Sequence, residues 1–368
     1  MIKWPIALVL LLLLGGCQRY NLDERIARFE AEIADYREQV DNVGLSVVFI
    51  HDNEIAYVHH WGVKNLETGE PLTDSTLFRV ASISKTFTAT GVMQQVEQGT
   101  LSLDDDASHL LGYTLRHPDY PDVPITLEML LSHTSSLNDD GGFNAYAPGQ
   151  GYQYCDRNFT LCGQILERIT GERFDNYIAR HIIQPLGLHG SFCVDSLDSR
   201  LLASLYQWNG EEYVCTDNNA YASRSEHLQH YTIGENAWVF APASGLKMSA
   251  LDLARYVQMH MNYGITPDGV RILQEETSRD MQVPRSYVGN EHYGLGLLQN
   301  STYGDSITLT GHLGGAWGMR GAIFFRPDEK YGFVILSNGA HNKAADDENM
   351  VHNDVIRILM RCFIIDKE

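Results

Sequence analysis

The sequence predicts an α+β fold, an α/β sandwich in which one antiparallel sheet combines N-terminal and C-terminal segments. Helices flank this sheet, and a mainly helical subdomain is inserted between its two halves. Three observations predict it: strand patterns occur over residues 44–62, they return over 306–337, and residues 86–235 have helical or loop patterns. Strands so distant in sequence must pair to bury their apolar faces. Because binding sites commonly lie in the cleft between two lobes, we expect an active site between the sheet and the helical lobe.

The individual elements follow from local patterns. A thin apolar stripe predicts a first helix, apolar runs bounded by turn segments predict strands, and an amphipathic pattern predicts a last helix. Short polar segments at 51–53 and 326–330 predict hairpin turns. The predicted helices cover 23–40, 252–262 and 349–362, and the predicted strands cover 44–50, 54–62, 306–310, 319–325 and 331–337.

The N-terminal segment has the pattern of an export signal. Lys3 is positive, the apolar run 5–14 is too short to span a bilayer comfortably, and Gly15-Gly16-Cys17 ends it with small residues. The segment resembles a bacterial lipoprotein signal, which implies removal of residues 1–16 and lipidation of Cys17. The alternative is an ordinary secretory signal or a short anchor. The resemblance implies a lipid-anchored location in the cell envelope, at the outer membrane and facing the periplasm or the surface.

Composition limits the partners. The net charge of −20 argues against nucleic acid, because an acidic surface repels phosphates. The chain has no long linker or repeat, which predicts one catalytic domain over 41–365 behind a tether and helix at 17–40. The helical lobe of that domain is placed at about 86–235.

The cysteines and histidines do not form a metal-binding pattern, so we predict no metal and no organic cofactor. Export would permit a disulfide, and Cys193 with Cys215 is the pair most easily joined, although the sequence leaves its state open. The cysteines after Cys17 are Cys155, Cys162, Cys193, Cys215 and Cys362.

A Ser-x-x-Lys pattern supplies a candidate nucleophile. Ser82 and Lys85 are three residues apart, so on a helix they share one face, and a half-buried amine can take the proton of a serine hydroxyl. A second match exists at Ser244 and Lys247. Context favours Ser82, because a helical pattern follows it, whereas Ser244 lies in a Pro-Ala-Ser-Gly segment typical of a loop.

Three more segments follow in a fixed order: Ser132-His133-Thr134, then Tyr154-Cys155-Asp156, then Gly311-His312-Leu313-Gly314-Gly315. With Ser82 and Lys85, this ordered set resembles the serine β-lactamase and penicillin-binding-protein superfamily, particularly the class C β-lactamase-related branch. The resemblance covers about residues 40–340 and selects Ser82 over Ser244. It implies a β-lactamase/transpeptidase-like fold and a serine hydrolase that works through an acyl-enzyme.

The resemblance also implies roles. Ser82 is the nucleophile, Lys85 and Tyr154 move protons, and His312 belongs to the third catalytic motif. The backbone N–H groups of Ser82 and Gly315 would form the oxyanion hole. Gly314, which has no side chain, would let the substrate approach the strand closely. His133 is expected to be structural, and Cys155 is rejected as a nucleophile because no basic residue accompanies it.

Departures from the family pattern carry the substrate information. Asp156 stands where Asn is usual, and a carboxylate only accepts hydrogen bonds. Its charge would favour the ammonium form of Lys85, so we hypothesise that Tyr154 carries more of the base role. In the third motif, His312 replaces a lysine and Leu313 lacks a hydroxyl, which makes recognition of a substrate carboxylate weaker.

We therefore expect an exported hydrolase acting on a small-molecule or peptide ester or amide, with acyl transfer to water or another acceptor. Asp156, Leu313 and Gly314 are expected to contact the substrate. Two alternatives remain open: a class C β-lactamase or D-alanyl-D-alanine carboxypeptidase, and a non-catalytic penicillin-binding or sensor protein. Neither the substrate nor the oligomeric state follows from the sequence.

Overall fold

The computed structural model describes residues 6–304, 307–342 and 351–365, with the backbone alone at 6–20, 219 and 342. The helices are α1 Ile6–Gln39, α2 Ser84–Glu97, α3 Ala107–Leu111, α4 Leu127–Leu131, α5 Asp156–Thr170, α6 Phe174–Ile178, α7 Asp217–Ala220, α8 Ser225–Leu228, α9 Ala250–Met261, α10 Glu275–Met281 and α11 Val351–Leu359. Shorter 3₁₀ turns occur at Ala81–Ile83, Val194–Ser196, Ser199–Leu201 and Ala237–Phe240, and π-helical turns at Ala179–Ile183 and Met360–Ile365.

The strands are β1 Val40–Asn42, β2 Gly44–His51, β3 Glu54–Gly62, β4 Phe78–Arg79, β5 Gly190–Ser191, β6 Tyr206–Trp208, β7 Tyr213–Cys215, β8 Lys247–Met248, β9 Ser286–Val288, β10 Glu291–Tyr293, β11 Leu298–Asn300, β12 Leu309–Ala316, β13 Met319–Arg326, β14 Tyr331–Ser337 and β15 Ala340–Asn342. The chain forms two compact units. One comprises residues 42–340, and the other joins the residues before 42 to those from 341 onward.

The larger unit contains an eight-stranded antiparallel sheet in the order β3-β2-β14-β13-β12-β11-β10-β9. The N-terminal strand β2 pairs with the C-terminal strand β14, with Leu45 opposite Ser337. The predicted α+β class, with one sheet built from both ends of the chain, is therefore confirmed. Helix α9 packs against β2, β13 and β14, so it covers one face of the central strands.

The hairpins lie where turn chemistry predicted them. Between β2 and β3, Asp52 and Asn53 have φ values of 49° and 67°, a left-handed pair that suits a two-residue hairpin turn. Between β13 and β14, Lys330 has a φ of 55°. The strands predicted at 44–50, 54–62, 319–325 and 331–337 agree with the structure to within a residue.

The strand predicted at 306–310 is wrong in its bounds. Its first residue, 306, lies outside the described residues, and β12 begins at Leu309 and continues beyond Thr310 to Ala316. Glycine is unfavourable in the interior of a strand, so the sequence pattern ends the predicted strand before Gly311. The sheet requires this glycine, because a Cβ on Gly311 would lie 1.9 Å from the carbonyl oxygen of Ile323.

The sequence patterns do not predict strands β9, β10 and β11. Each strand has three residues, too few to show the alternation that identifies a strand from sequence. They extend the sheet beyond β12 and bring Tyr293 into it.

The segment between the two sheet halves is mainly helical, as predicted, with short strands β5, β6 and β7 added. Within it, α2 and α5 pack together. A Cβ on Gly91 of α2 would lie 3.0 Å from Ile178 and 3.1 Å from Leu166, so this glycine allows the helices to approach closely. Close packing here anchors the helix that begins just after Ser82.

In the smaller unit, α1 contacts the C-terminal helical segment. The rings of Phe29 and Phe363 are 5.4 Å apart, and Arg361 binds Glu32. The predicted helix 23–40 is present as the last part of α1. That the terminal helices cover the sheet stays a prediction.

The predicted signal peptide begins at residues 1–5, which lie outside the described residues, and its remainder opens α1. Cys17 lies within α1, and its lipidation stays a prediction. Across the described residues, no helix combines the length and apolarity that spanning a membrane requires. Cys193 and Cys215 are free thiols, as are Cys155, Cys162 and Cys362, so the disulfide left open by the sequence is not formed in this structure.

Candidate active site

Ser82 lies in the 3₁₀ turn directly before α2 and is half-buried. The preceding residue, Ala81, has a φ of 47°, a left-handed conformation that is unfavourable for any residue with a side chain. Backbone strain of this kind is concentrated at functional sites, where the surrounding structure maintains it. The strained turn thus fixes the position of the Ser82 hydroxyl.

Lys85 lies one helical turn after Ser82, and its side chain is fully buried. Its Nζ atom donates to Ser82 Oγ at 3.2 Å, to Asp156 Oδ1 at 2.6 Å and to the Ala243 carbonyl oxygen at 3.1 Å. An ammonium has three N–H donors, so these partners satisfy all of them. The amine is therefore held against the candidate nucleophile in one geometry.

Two opposing effects set the pKa of Lys85. Burial is the larger and lowers the pKa below its ordinary value of 10.5, while the Asp156 carboxylate raises it. Asp156 favours the ammonium form, as the sequence predicts, but burial outweighs its effect on the pKa. Lys85 is consequently a better base than the sequence argument suggested.

Tyr154 also lies next to Lys85, with its ring centroid 4.6 Å from Lys85 Nζ. Burial raises the pKa of its phenol above the ordinary value of 10, and the interaction with the Ser82 hydroxyl opposes that rise only partly. A phenolate is therefore unfavourable here. This weakens the hypothesis that Tyr154 is the main base and suits it to relaying a proton as a neutral phenol.

Asp156 is the first residue of α5, where the positive end of the helix dipole stabilises a carboxylate. Its side chain is 50% exposed, and its Oδ1 atom accepts from Lys85. Asp139 lies nearby, and its Oδ1 atom accepts the N–H of Arg157 and the thiol of Cys155. The predicted contact between Asp156 and Lys85 is thus present, and one face of the carboxylate is open to solvent.

Cys155 is fully buried, and its thiol donates to Asp139 at 3.3 Å. Burial raises the pKa of this thiol to about 12. A buried thiol without a thiolate is inert, which agrees with the prediction that Cys155 is not the nucleophile.

His133 supports the Tyr154 loop, as predicted. Its Nδ1 atom accepts from the Cys155 N–H and from the Asn158 amide, both at 3.1 Å. Its ring lies 4.4 Å from that of Tyr154. Burial lowers the pKa of His133 well below 6.5, so the ring is neutral and acts as an acceptor.

His312 is buried, and both of its ring nitrogens have protein partners. Nδ1 donates to the Leu313 carbonyl oxygen at 2.6 Å, which makes Nε2 the acceptor for the Tyr293 hydroxyl at 2.7 Å. Burial, with the nearby charge of Lys85, lowers the pKa of His312 to about 3. A neutral ring with both nitrogens occupied favours a positioning role over the catalytic role predicted for it.

Tyr293 is the residue that sequence reasoning missed. It is fully buried on β10, its ring lies 6.3 Å from that of Tyr154, and its hydroxyl holds His312. No motif surrounds it, and its strand is too short to detect. Only the pairing of β10 with β11, and of β11 with β12, brings it beside His312.

Gly314 has a packing role that the sequence does not predict. A Cβ at this position would lie 2.5 Å from the Val80 carbonyl oxygen and 3.3 Å from Ile83. The missing side chain therefore lets β12 pack against the turn that carries Ser82, and contact of Gly314 with a substrate stays a prediction. This contact sets the distance between the third motif and the nucleophile.

Gly315, by contrast, is exposed, and a Cβ there would meet Arg320 at an ordinary 3.5 Å. Strand β11 pairs only with Leu309–Gly311, so among the described residues no strand covers that edge of β12 at 312–316. An uncovered backbone edge beside the Ser82 turn is where an oxyanion-hole N–H is needed. Leu313 is half-buried on the same strand.

The second Ser-x-x-Lys match has another use. Ser244 lies in the predicted loop and binds the buried guanidinium of Arg79 through its carbonyl oxygen at 3.0 Å and its hydroxyl at 3.1 Å. Lys247 donates instead to the Phe192 carbonyl oxygen at 3.3 Å. The serine and the lysine therefore do not meet, and Ser244 is structural.

The site thus contains a buried amine that hydrogen-bonds to a serine hydroxyl and to a carboxylate. A neutral tyrosine and an uncovered strand edge lie beside them. Within the described ranges, no group of three or more His, Cys, Asp or Glu residues is placed to hold a metal ion. The beta-lactamase family model matches residues 29–356. The chain belongs to the beta-lactamase family.

A curated relative matches most of this chain. Protein flp of Staphylococcus aureus (strain MRSA252) is 21% identical over 338 residues, which cover 83% of this chain and 63% of that protein. This chain therefore spans less than two thirds of the length of that relative.

Two solved structures are similar to this chain. The octameric penicillin-binding protein homologue from Pyrococcus abyssi has a TM-score of 0.73 and 24% identity, covering 91% of this chain and 76% of that one. The D-amino acid amidase from Ochrobactrum anthropi SV3, complexed with D-phenylalanine, has a TM-score of 0.72 and 20% identity, covering 93% and 98%. At these identities the likeness establishes the fold shared with the family.

Proposed function

We propose that this chain is a serine hydrolase that cleaves an ester or amide through an acyl-enzyme on Ser82. One observation carries the proposal: the buried Lys85 amine contacts both the Ser82 hydroxyl and the Asp156 carboxylate. A serine hydroxyl becomes an effective nucleophile when a neighbouring base receives its proton. Burial lowers the pKa of Lys85 and so supplies that base.

In the acylation step, Ser82 Oγ attacks the carbonyl carbon while its proton moves to neutral Lys85. Tyr154, next to both groups, relays a proton to the leaving group. The backbone N–H groups of Ser82 and Gly315 stabilise the oxyanion. In deacylation the same groups act in reverse order on water or another acceptor.

The substrate class is a small-molecule or peptide amide or ester that does not depend on carboxylate recognition by the third motif. His312 is neutral and buried, and Leu313 has no hydroxyl, so the motif lacks both groups that would grip a carboxylate. Similarity to a D-amino acid amidase structure supports an amide substrate. Class C β-lactamase and D-alanyl-D-alanine carboxypeptidase activities are correspondingly expected to be weak.

A fluorophosphonate probe tests the proposal, because it labels activated serines covalently. We expect labelling of the wild type, loss of labelling in Ser82→Ala, and full labelling in Ser244→Ala. Absence of Ser82-dependent labelling would support the non-catalytic alternative. Turnover of short-chain nitrophenyl esters, a chromogenic cephalosporin and D-alanyl peptides then ranks the substrates, and rapid cephalosporin hydrolysis would overturn the stated preference.

We further propose that the protein is exported and anchored to the bacterial cell envelope through lipidated Cys17. The support is the sequence pattern of residues 1–17 alone. Metabolic labelling with a radioactive fatty acid tests it. Label should appear in the wild type and be absent from Cys17→Ser, whereas Cys162→Ser, which removes a buried thiol, should keep it.

A further inference from the structure

The Asp156 carboxylate is only partly used by the protein. Oδ1 accepts from Lys85 at 2.6 Å, yet half of the side chain is exposed. Because a carboxylate accepts hydrogen bonds and cannot donate them, any substrate group that meets its open face must be a donor. An asparagine at this position would also accommodate an acceptor, such as the carbonyl of an acylated amine.

The location of Asp156 connects it to the acyl group of the substrate. One atom, Lys85 Nζ, contacts both the Ser82 hydroxyl and the Asp156 carboxylate. Asp156 is therefore a near neighbour of the carbonyl carbon that Ser82 would attack, and a substituent on the substrate α-carbon is within reach of its open face. An ammonium group on the α-carbon is one bond beyond that carbon, and its positive charge complements the Asp156 carboxylate.

The neighbouring charges also favour a cation. When Lys85 receives the serine proton it must first be neutral, which leaves Asp156 without its positive partner. Asp139, exposed and electrostatically coupled to Lys85, adds a second carboxylate. Neither nearby arginine has a hydrogen bond to Asp156: Arg157 donates to the Gly142 carbonyl oxygen, and Arg79, which is electrostatically coupled to Asp156, donates to Ser244.

We propose that the open face of Asp156 binds the ammonium group of α-amino acyl substrates, so that the enzyme prefers amides with a free α-amine over their N-acylated counterparts. This inference rests on the proposed function and names its substrate class. The bound ammonium supplies positive charge to Asp156 while Lys85 acts as the base. N-acylation removes this positive charge, leaves a single neutral N–H as donor, and adds a carbonyl acceptor that a carboxylate cannot bind.

The test measures protection of Ser82 from the fluorophosphonate probe. The competitors are the amides of D-phenylalanine and L-phenylalanine and the N-acetyl derivatives of both. In the wild type at pH 6.5, at least one free amine should protect at a concentration about fivefold or more below its N-acetyl counterpart, the scale of a partly exposed charge pair. The preference should decline as the pH passes the pKa of the substrate amine, about 7.7.

Asp156→Asn should reduce the preference to within about twofold, whereas Asp140→Asn, at an exposed neighbouring carboxylate, should keep the wild-type ratio. Because the ratio compares two competitors on one variant, it is independent of any change in the labelling rate. Equal protection by both competitors, no protection by either, or an unchanged ratio in Asp156→Asn overturns the inference alone. Loss of Ser82 labelling in the wild type overturns the proposed function and the inference with it.

Discussion

The hydroxyl of Tyr293 lies 2.7 Å from Nε2 of His312, and this hydrogen bond joins β10 to the motif strand β12 behind Tyr154. His312 in turn donates to the carbonyl oxygen of its neighbour Leu313. Two buried side chains thereby hold the backbone that leads to Gly315. A tyrosine outside every recognised motif thus supports the candidate oxyanion hole.

Replacing Tyr293 with Phe should destabilise the protein by about 1–3 kcal/mol, because the buried Nε2 atom of His312 then loses its donor. The Ser82 labelling rate should fall as well, since the backbone near Gly315 is less firmly held. Urea denaturation and timed probe labelling measure the two effects. The control is Tyr287→Phe, whose side chain is 67% exposed on the adjacent strand β9. Equal stability of the two variants would contradict this role for Tyr293.

Lys85→Met should reduce the Ser82 labelling rate by about 10²–10⁴-fold, because the serine loses the base that receives its proton. Lys247→Met is the matched control: Lys247 is also fully buried, and its pKa is lowered to about 7, but it donates to Phe192 and not to a serine. Labelling should persist in the control. Comparable loss in both variants would indicate a general effect of removing a buried amine.

The acidic limb of the pH–rate profile should report Lys85, since only the neutral amine accepts a proton. Burial lowers its pKa below 10.5, so the limb should lie below that value. The Asp156 carboxylate raises the pKa of Lys85, so Asp156→Asn should move the limb to lower pH. Probe labelling across pH 5–10 measures this shift. A limb that stays in place or moves upward would show that Lys85 is not the titrating base.

Gly314→Ala should destabilise the fold by about 1–3 kcal/mol, because its Cβ would lie 2.5 Å from the Val80 carbonyl oxygen and force β12 away from the Ser82 turn. Gly315→Ala should be much less destabilising, since its Cβ meets Arg320 at an ordinary distance and the backbone N–H is retained. Thermal unfolding distinguishes them. Similar melting temperatures would disprove the packing role of Gly314.

Local periodicity accounts for what could be predicted. Ser82 and Lys85 are neighbours because one helical turn separates them, and the hairpin at Asp52-Asn53 follows from residues that tolerate a positive φ. The strands with long apolar runs agree with the prediction to within a residue. The order of the motifs identified the fold, and with it the expectation that Tyr154 and the third motif come near Ser82.

The sequence by itself therefore determined the sheet-forming segments, the candidate nucleophile Ser82 and its neighbouring amine. The tertiary structure decided the rest: that burial outweighs Asp156 in setting the pKa of Lys85, that His312 bonds to Tyr293, and that Gly314 packs against the Ser82 turn. The physical reason is the distance along the chain between the residues that interact. Helical and hairpin contacts depend on residues a few positions apart, whereas desolvation, strand register and close packing depend on chain segments that meet only in the folded protein.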